Sequence, residues 1–362
     1  MLRRGLPLAA TTGIAVAIWG AAQAAPLRTA EALDRALREA RGGETLTLAG
    51  ADFGVVTLRD LHFPAPVTLR AADPGKPPVF GGLDLTGVSG LSFEGLRVVA
   101  ARPATPAVSI VRSDHIAFQE LRAEGLLASN PDAVHDGVLI QTSAEVSIVH
   151  SELSQFGNGV THLDGDHLTV RGNLFRDIRV DGVHGGGSSF VTISGNFFRD
   201  FHPLGVVGES GDHADAVQFW TVNTTASAHD ITVSDNLFLR GAGRYAEGVF
   251  FNDELKTRPY RRVSITGNVI LGGMYNGVFV LHAADLEVRG NLVAGFPDRQ
   301  SYIELLDVEG ASVAGNAANE LRLTQNVRGA IGENRIVGRL SDGGAALAAA
   351  WLARHPDLPG RR

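Results

Sequence analysis

The chain has 362 residues, of which 44% are hydrophobic and 20% are charged, so it can bury a large core and lacks the composition of a disordered protein. Its formal net charge of −7 argues against a nucleic-acid partner, which normally requires a basic face. It contains no cysteine, so its stability has to come from burial and hydrogen bonds. The 44 glycines and many short β-branched runs favour short strands joined by tight turns.

Residues 1–24 have the pattern of a secretory signal peptide. Arg3 and Arg4 form a basic start, residues 6–19 are mostly apolar, and residues 22–24 supply the small residues of a cleavage site. The apolar run is shorter than the roughly 20 residues that a membrane-spanning helix needs. We therefore expect an exported bacterial protein, periplasmic or extracellular, with no stable membrane insertion after cleavage.

A short helix is predicted before the first strand. Thr29 can cap it, Leu33 and Leu37 mark its apolar side, and Gly42 and Gly43 end it before the strand-like ETLTL.

The central part of the chain repeats one strand pattern ten times, beginning at Val67 and ending near residue 318. Most copies start 22–25 residues after the previous one, with longer steps of 30, 40 and 32 residues. A coil of parallel strands with stacked apolar side chains has this kind of period. Asparagines recur at one phase and can form a hydrogen-bonded ladder; they are Asn173, Asn196, Asn236, Asn268, Asn291 and Asn316.

A second polar position recurs in six successive coils, immediately before a Gly or Ala that is followed by Val. This position favours a turn residue, so part of its acidity is turn chemistry. Its members are Asp136, Asn158, Asp181, Asp215, Glu247 and Asn276.

These features resemble the right-handed parallel β-helix of the pectate lyase superfamily, in particular its chondroitinase B-like, alginate lyase and mannuronan C5-epimerase branch. The resemblance covers about residues 27–340. The D-P-H-[ED] tetrapeptide of the epimerases is absent, and the closest match is Gly-Asp-His-Ala at 211–214. The motifs of the related polygalacturonases are absent too. The resemblance implies a polysaccharide substrate and leaves the reaction open.

The implied fold is all-β: a single-stranded right-handed parallel β-helix over residues 25–340, with a short N-terminal cap helix. Residues 341–362 are predicted to form a C-terminal capping helix and tail, which starts at Ser341 or Asp342 and stops before Pro356. No linker separates a second domain, and we expect a monomer.

The two long coils, from Val191 to Ile231 and from Ile231 to Val263, are where a functional site is expected, because loops on a rigid frame carry function. The first inserts acids and histidines, and the second inserts a basic loop. We expect these insertions to face each other across a cleft.

Proton abstraction next to a sugar carboxylate requires a base, an acid and a cation that neutralises the carboxylate. The catalytic candidates are His213, Asp215, Asp212, His184, Lys256 and Tyr245, with His213 or Lys256 as base and Tyr245 or His184 as acid. Arg258, Arg261 or Lys256 could neutralise the carboxylate. The substrate-binding candidates are Asp181, Arg258, Arg261, Trp220, Asn252 and His135.

Calcium is the one cofactor for which the composition offers ligands, since it takes six to eight oxygens. The candidate ligands are Asp181, Glu209, Asp212 and Asp215.

Three functions remain open on the sequence. The first is a lyase or C5-epimerase that acts on a uronic-acid polysaccharide. The second is a glycoside hydrolase with paired carboxylates from adjacent coils, either Asp181 with Asp215 or Asp215 with Glu247. The third is a non-catalytic carbohydrate-binding or surface protein.

Overall fold

The computed structural model describes residues 25–132, 135–205 and 211–360 and shows parallel strands wound into one coil. Nearly all of the coil consists of turns with three short strands each, and strands of successive turns pair in parallel. The predicted signal peptide at 1–24 lies outside the described residues.

The strands lie on three faces, here called face one, face two and face three. Face one consists of Val55–Arg59, Gly82–Thr86, Val108–Val111, Asp136–Gln141, Asn158–Leu163, Val183–Gly186, Asp215–Trp220, Glu247–Asn252, the first part of Tyr275–Arg289, Ser301–Glu309 and Leu321–Thr324. Face two consists of Thr45–Leu48, His62–Ala71, Ser89–Glu94, Asp114–Gln119, Ala144–Val149, Asp166–Arg171, Ser189–Ser194, His229–Ser234, Tyr260–Thr266, the second part of Tyr275–Arg289, Ala311–Ala314 and Gly329–Ile331. Face three consists of Val79–Phe80, Arg97–Val99, Arg122–Glu124, Glu152–Ser154, Leu174–Arg176, Phe197–Arg199, Leu237–Leu239, Val269–Leu271, Leu292–Ala294, Ala317–Ala318 and Arg335–Ile336.

The register of the strands confirms the predicted repeat. On face two, Val191 lies opposite Ile231, and Ile231 lies opposite Val263 in the next turn. On face one, Val217 lies opposite Val249 in the same way. Residues at alternate positions point inward and are almost fully buried, so equivalent apolar side chains stack in columns along the axis.

The asparagine ladder is structural, as predicted. Asn196 Nδ2 donates to Asn236 Oδ1 at 2.9 Å, and Asn236 Nδ2 donates to Asn268 Oδ1 at 2.9 Å. Each Nδ2 also donates to a backbone carbonyl, as Asn236 does to Ile193, so the buried amides are satisfied along the coil. The ladder continues one turn further than predicted, to Asn334.

Helix α1, Ala30–Glu39, precedes the first strand. Thr29 caps it by accepting from the Ala32 backbone N–H at 3.2 Å, and Leu33 and Leu37 are buried in the main core. The prediction of a short N-terminal helix is confirmed.

Helix α2, Ala345–Ala353, is present but lies against face three. Ala348 and Trp351 pack with Leu237 and Leu271, which are apolar residues on the outside of that face. The predicted capping of the open end is therefore wrong, because the apolar surface that α2 covers lies on the side of the coil. Within the described part of the chain, no helix has both the length and the hydropathy to cross a membrane.

Candidate active site

The polar residues that begin the face-one strands form a continuous column, here called the polar column: Asp136, Asn158, Asp181, Asp215, Glu247 and Asn276. Four of its five steps are hydrogen bonds, and the remaining step, from Asp215 to Glu247, has none. The Asp215 backbone N–H donates to Asp181 Oδ1 at 2.8 Å, and Asn276 Nδ2 donates to Glu247 Oε2 at 2.8 Å. Asp215 and Glu247 are register partners on adjacent strands, so their backbones lie about 4.8 Å apart.

His213 lies over the two acids of this column and forms a triad with them. Its Nδ1 lies 2.8 Å from Asp215 Oδ2, and its Nε2 lies 3.5 Å from Glu247 Oε2. The His213 side chain is 43% exposed, whereas those of Asp215 and Glu247 are 0% and 5% exposed. The imidazole is therefore the member of the triad that a ligand can reach.

Two neighbours hold the triad in place. Gln218 Nε2 donates to Asp215 Oδ2 at 3.1 Å, and the ring of Phe250 meets the His213 ring edge-on with centroids 4.9 Å apart. The second oxygen of Asp215 is buried and has no hydrogen-bond partner among the described residues. A buried carboxylate with an unsatisfied oxygen is costly to ionise, so this environment raises the free energy of ionising Asp215.

The pKa values of the triad are all raised. Burial, followed by the charge of Asp215, raises the pKa of Glu247 to about 8. Burial raises the pKa of Asp215 to about 6, although the hydrogen bond with His213 opposes it. The hydrogen bond to Asp215 outweighs burial and raises the pKa of His213 to about 9. At neutral pH we expect a protonated His213, an ionised Asp215 and a protonated Glu247.

His184 lies one coil before the triad and is bound by the same column. Its Nδ1 lies 2.8 Å from Asp181 Oδ2, and its Nε2 lies 2.7 Å from Thr161 Oγ1. Trp220 contacts its ring edge-on with centroids 5.0 Å apart. Burial would lower the pKa of His184, but the hydrogen bond and charge of Asp181 raise it overall. Both ring nitrogens are engaged, so His184 supports the column and does not offer a free acid.

An arginine-lined cavity of about 430 Å³ lies beside the start of the face-one strands. Arg240 pairs with Asp298 in this cavity, whereas Arg244 and Arg299 have no carboxylate partner among the described residues. Tyr245 donates its hydroxyl to Asp298 Oδ2 at 2.9 Å, and Arg240 lies over its ring. The Tyr245 hydroxyl proton is thus engaged by Asp298, and the role of Tyr245 as the acid stays a prediction.

The predicted basic loop does not face the triad. Lys256, Arg258 and Arg261 follow the strand Glu247–Asn252, whereas His213 precedes Asp215–Trp220. A six-residue strand separates the two groups by roughly 20 Å. The predicted roles of Lys256 as base and of Arg258 and Arg261 as neutralising cations beside His213 are therefore wrong. Asn252, also predicted to bind substrate, lies at that far end of the strand.

Asp212 is another predicted catalytic residue that the structure places elsewhere. Both of its carboxylate oxygens accept from Arg179, at 2.8 and 3.1 Å. Burial would raise the pKa of Asp212, but the hydrogen bonds from Arg179 and from the Leu204 N–H lower it. Asp212 therefore anchors the inserted loop to an earlier coil.

His135 is 95% buried and packs edge-on against Phe156 at 5.4 Å, so it does not present a surface for a distal sugar. Trp220 lies on the outer surface beside His184, as expected for an outward-pointing residue.

Two of the predicted calcium ligands, Asp181 and Asp215, are neighbours in the polar column. Asp212 is held by Arg179, Asp181 binds His184 and the Asp215 backbone, and Glu209 lies outside the described residues. The described residues that could share a metal ion are instead His213, Asp215 and Glu247, whose ligand atoms lie within 4.8 Å of one another. One imidazole nitrogen and two carboxylates are a poor match to the oxygen shell that calcium prefers.

Some residues of the site were not among the sequence candidates. Glu247 was considered only as half of a hydrolase pair, and Gln218, Arg244 and Arg299 were missed. Glu247 could have been found, because it shares the phase of Asp215 in the repeat. The two arginines lie in turns between faces three and one, where the sequence carries no recognisable motif.

Comparison with known proteins agrees with this architecture. A family model described as the right-handed β-helix region matches residues 136–293. The chain is a right-handed parallel β-helix. The resemblance to β-helix proteins of the pectate lyase superfamily is thereby confirmed for the fold. No curated protein matches the chain in sequence.

Two solved structures illustrate the likeness. PfbA, a surface adhesin of Streptococcus pneumoniae, is 14% identical, with a TM-score of 0.52 over 78% of this chain and 87% of that one. AlyGC, a PL6 family alginate lyase, is 14% identical, with a TM-score of 0.50 over 88% of this chain and 52% of that one. At this identity the likeness establishes the shared fold alone.

Proposed function

We propose that this β-helix protein is a polysaccharide lyase that cleaves a uronic-acid polymer by β-elimination. The observation that carries the proposal is the triad, in which an accessible imidazole lies over two buried, coupled acids. Groups with strongly shifted pKa values that converge beside a cavity are typical of acid–base catalysis. AlyGC, described as an alginate lyase, has the same fold, so the fold is compatible with this substrate class.

The chemistry assigns one role to each member of the triad. His213 transfers the proton and reacts in its neutral form, which is the minor form at neutral pH and grows toward pH 9. Its Nε2 takes the C5 proton, the electrons of the C–H bond form the C4=C5 double bond, and the C4–O bond breaks. The imidazolium formed in this way gives the proton from Nε2 to the leaving oxygen, which restores neutral His213. Glu247 lies 3.5 Å from His213 Nε2 and is protonated because of its burial, so it places no second negative charge beside the ring. Asp215 orients the ring through Nδ1.

Elimination fits the triad better than epimerisation. His213 and Glu247 project from the same face of the coil, on adjacent strands. An epimerase must return a proton to the opposite side of C5 from the one that lost it, which requires acid and base on two sides of the sugar. One group on one side of the sugar, which acts first as base and then as acid, can serve elimination.

Arg244 and Arg299 are the proposed partners of the sugar carboxylate. Arg244 is three residues before Glu247 in the chain, so its backbone lies within about 10 Å of that acid. Arg299 donates to the Tyr275 hydroxyl at 3.1 Å, next to Asn276 of the polar column. A guanidinium group in this cavity would stabilise the negative charge that develops on the carboxylate when the C5 proton leaves.

In this proposal the reaction does not require calcium, which would bind only as an additional ligand. The donor set of the triad does not favour it, and the steps above are carried by side chains. Activity that survives chelation of divalent cations would agree with this assignment, whereas an absolute requirement for calcium would contradict it.

A glycoside hydrolase is the second candidate, because Asp215 and Glu247 are register partners at the spacing of adjacent strands. In that mechanism, ionised Asp215 and protonated Glu247 would act together between pH about 6 and about 8. The burial of both acids beneath His213 argues against it, since a hydrolase needs both carboxyl groups at the sugar.

Incubation with a panel of polyuronates tests the proposal, with ultraviolet absorbance and reducing ends read together. A lyase produces an absorbing unsaturated end with each new reducing end. Arg244→Gln should raise KM for the polymer about tenfold, as expected for one lost charge-assisted contact, while Arg171→Gln, an exposed arginine on face two, should behave as the wild type. Reducing ends without absorbance would support the hydrolase. Bound but unchanged polymer would support the non-catalytic binding protein.

We further infer that the protein acts outside the cytoplasm, periplasmic or extracellular, where such polymers are found. The basis is the signal-peptide pattern of residues 1–24.

A further inference from the structure

Another buried acid, Asp253, lies at the opposite end of face one, about one strand length from the triad. Asp253 is fully buried and accepts three hydrogen bonds, from Thr221 Oγ1 at 2.5 Å, from the Arg258 backbone N–H at 2.8 Å and from His282 Nδ1 at 2.6 Å. Burial alone would raise the pKa of Asp253, but these bonds lower it. Asp253 therefore carries a negative charge that is buried in this turn.

That charge fixes the ring of His282. Because Asp253 binds Nδ1, the other ring nitrogen, Nε2, remains for a ligand, and no described residue engages it. The His282 side chain is 26% exposed and lines an open cavity of about 490 Å³. A fixed Nδ1 contact of this kind orients the imidazole.

The cavity around His282 is rich in cations. Lys256, Arg261 and Arg328 line it. Lys256 pairs with Asp307, and Arg328 is 4.0 Å from Glu309, with side chains that are 74% and 79% exposed. Arg261 has no ion pair with any described residue, so its charge is available to a ligand.

We propose that this cavity is a second anion-binding site, which holds an acidic group of a polysaccharide through His282 and Arg261. The buried Asp253 distinguishes it from a scatter of surface charges, because this fully buried acid contacts Nδ1 and so fixes the imidazole that lines the cavity. The ligand class is a sugar carboxylate or sugar sulfate, since both present oxygens that accept hydrogen bonds from a guanidinium and from a ring N–H. The site lies roughly 20 Å from His213, so it would contact a different unit of a polymer from the one at the triad. It does not depend on the reaction proposed above.

Titration of the imidazole signals by NMR tests this site without turnover. The probes are sodium glucuronate and, separately, sodium sulfate, at constant ionic strength. The His282 signal is identified by its loss in His282→Gln. We expect a saturable shift of this signal with at least one probe and an apparent affinity about tenfold weaker in Arg261→Gln. A response to glucuronate alone assigns a carboxylate site, and a response to sulfate alone assigns a sulfate site.

Two controls keep the result interpretable. Arg171→Gln removes an exposed arginine from face two and should leave the titration unchanged, and His213→Gln should leave it unchanged as well. No saturable shift with either probe, or an equal loss in Arg171→Gln, would overturn the proposal. Because binding is read directly, an inactive protein would count against the proposed reaction and not against this site.

Discussion

At the scale of single residues, the proposed function rests on His213, because it alone of the triad is open to a ligand. We expect His213→Gln to lower kcat on a uronate polymer by about 10²–10⁴-fold, the usual contribution of a general base, with KM nearly unchanged. His167→Gln is the matched control, since His167 is 57% exposed and lies 2.8 Å from Asp166 on face two. Equal losses in both variants would contradict the role of His213.

The triad also predicts how stability depends on pH. The folded-state pKa of Glu247 is raised, so its contribution to stability is complete below about pH 4.5 and is lost as pH rises through about 8. His213 has the same sign, between about 6.5 and about 9. The free energy of unfolding of the wild type should therefore fall from pH 5 to 9.

Glu247→Gln should flatten that profile. Between pH 5 and 8, the free energy of unfolding of the variant should rise relative to that of the wild type by on the order of 2 kcal/mol. The reason is that a neutral amide has no ionisation to suppress. Denaturant unfolding at a series of pH values measures it. Glu309→Gln, at a side chain that is 79% exposed, should keep the wild-type profile. Parallel profiles for the wild type and Glu247→Gln would show that Glu247 ionises normally.

Sequence reasoning at this scale was partly successful. His213 and Asp215 were chosen correctly as neighbours, because an imidazole two residues before a strand-edge acid can reach it. Asp212 was chosen for the same reason, yet Arg179, 33 positions earlier in the chain, binds it. Which of two adjacent acids faces the histidine depends on contacts between coils, and the sequence does not display those.

At the scale of elements, the asparagine ladder holds the turns of the coil together. Asn236→Ala would leave the Asn196 N–H and the Ile193 carbonyl unsatisfied in a buried turn. We expect it to lower the free energy of unfolding by roughly 2–4 kcal/mol, since each buried orphan group costs about 1–3.

Asn334→Ala tests the position dependence of the ladder. Asn334 is its last member, and it is partly exposed, so water can replace its hydrogen bonds. Urea unfolding should show a clearly smaller loss for Asn334→Ala than for Asn236→Ala. Equal losses would mean that the ladder does not act through buried hydrogen bonds.

The repeat allowed the strands to be predicted, but it did not indicate at which end of its strand each inserted loop lies. The period of 22–25 residues and the phase of the asparagines reflect local turns, which each copy of the repeat encodes for itself. The insertions around His213 and Lys256 are neighbours in coil number but flank opposite ends of their strands. Six residues of extended chain then place the predicted partners roughly 20 Å apart. Helix α2 was misplaced because its apolar partners on face three are far away in sequence.

At the scale of the whole molecule, the coil is a rigid frame that presents two charged sites on one face. The triad and the arginine cavity lie at the start of the face-one strands, and the His282 cavity lies at their end. A polymer that crosses this face could contact both. Most of the chain forms one long coil around its main hydrophobic core, and few residues belong to other elements.

The predicted export belongs to the same scale. If residues 1–24 are a signal peptide, the protein recovered from the periplasm or medium should begin at Ala25 or Pro26. Its intact mass and N-terminal sequence, compared with those of cytoplasmic material, measure this. Recovery of the uncleaved chain in the membrane fraction would contradict the prediction.

The most direct test of the central claim is proton NMR of a polyuronate incubated with the protein in D₂O. The account predicts vinyl proton signals of C4=C5 unsaturated ends that grow with the wild type and not with His213→Gln. Deuterium at C5 of intact polymer, without unsaturated ends, would indicate epimerisation. New reducing ends with C5 protons retained would indicate hydrolysis, and either result would contradict the proposed elimination.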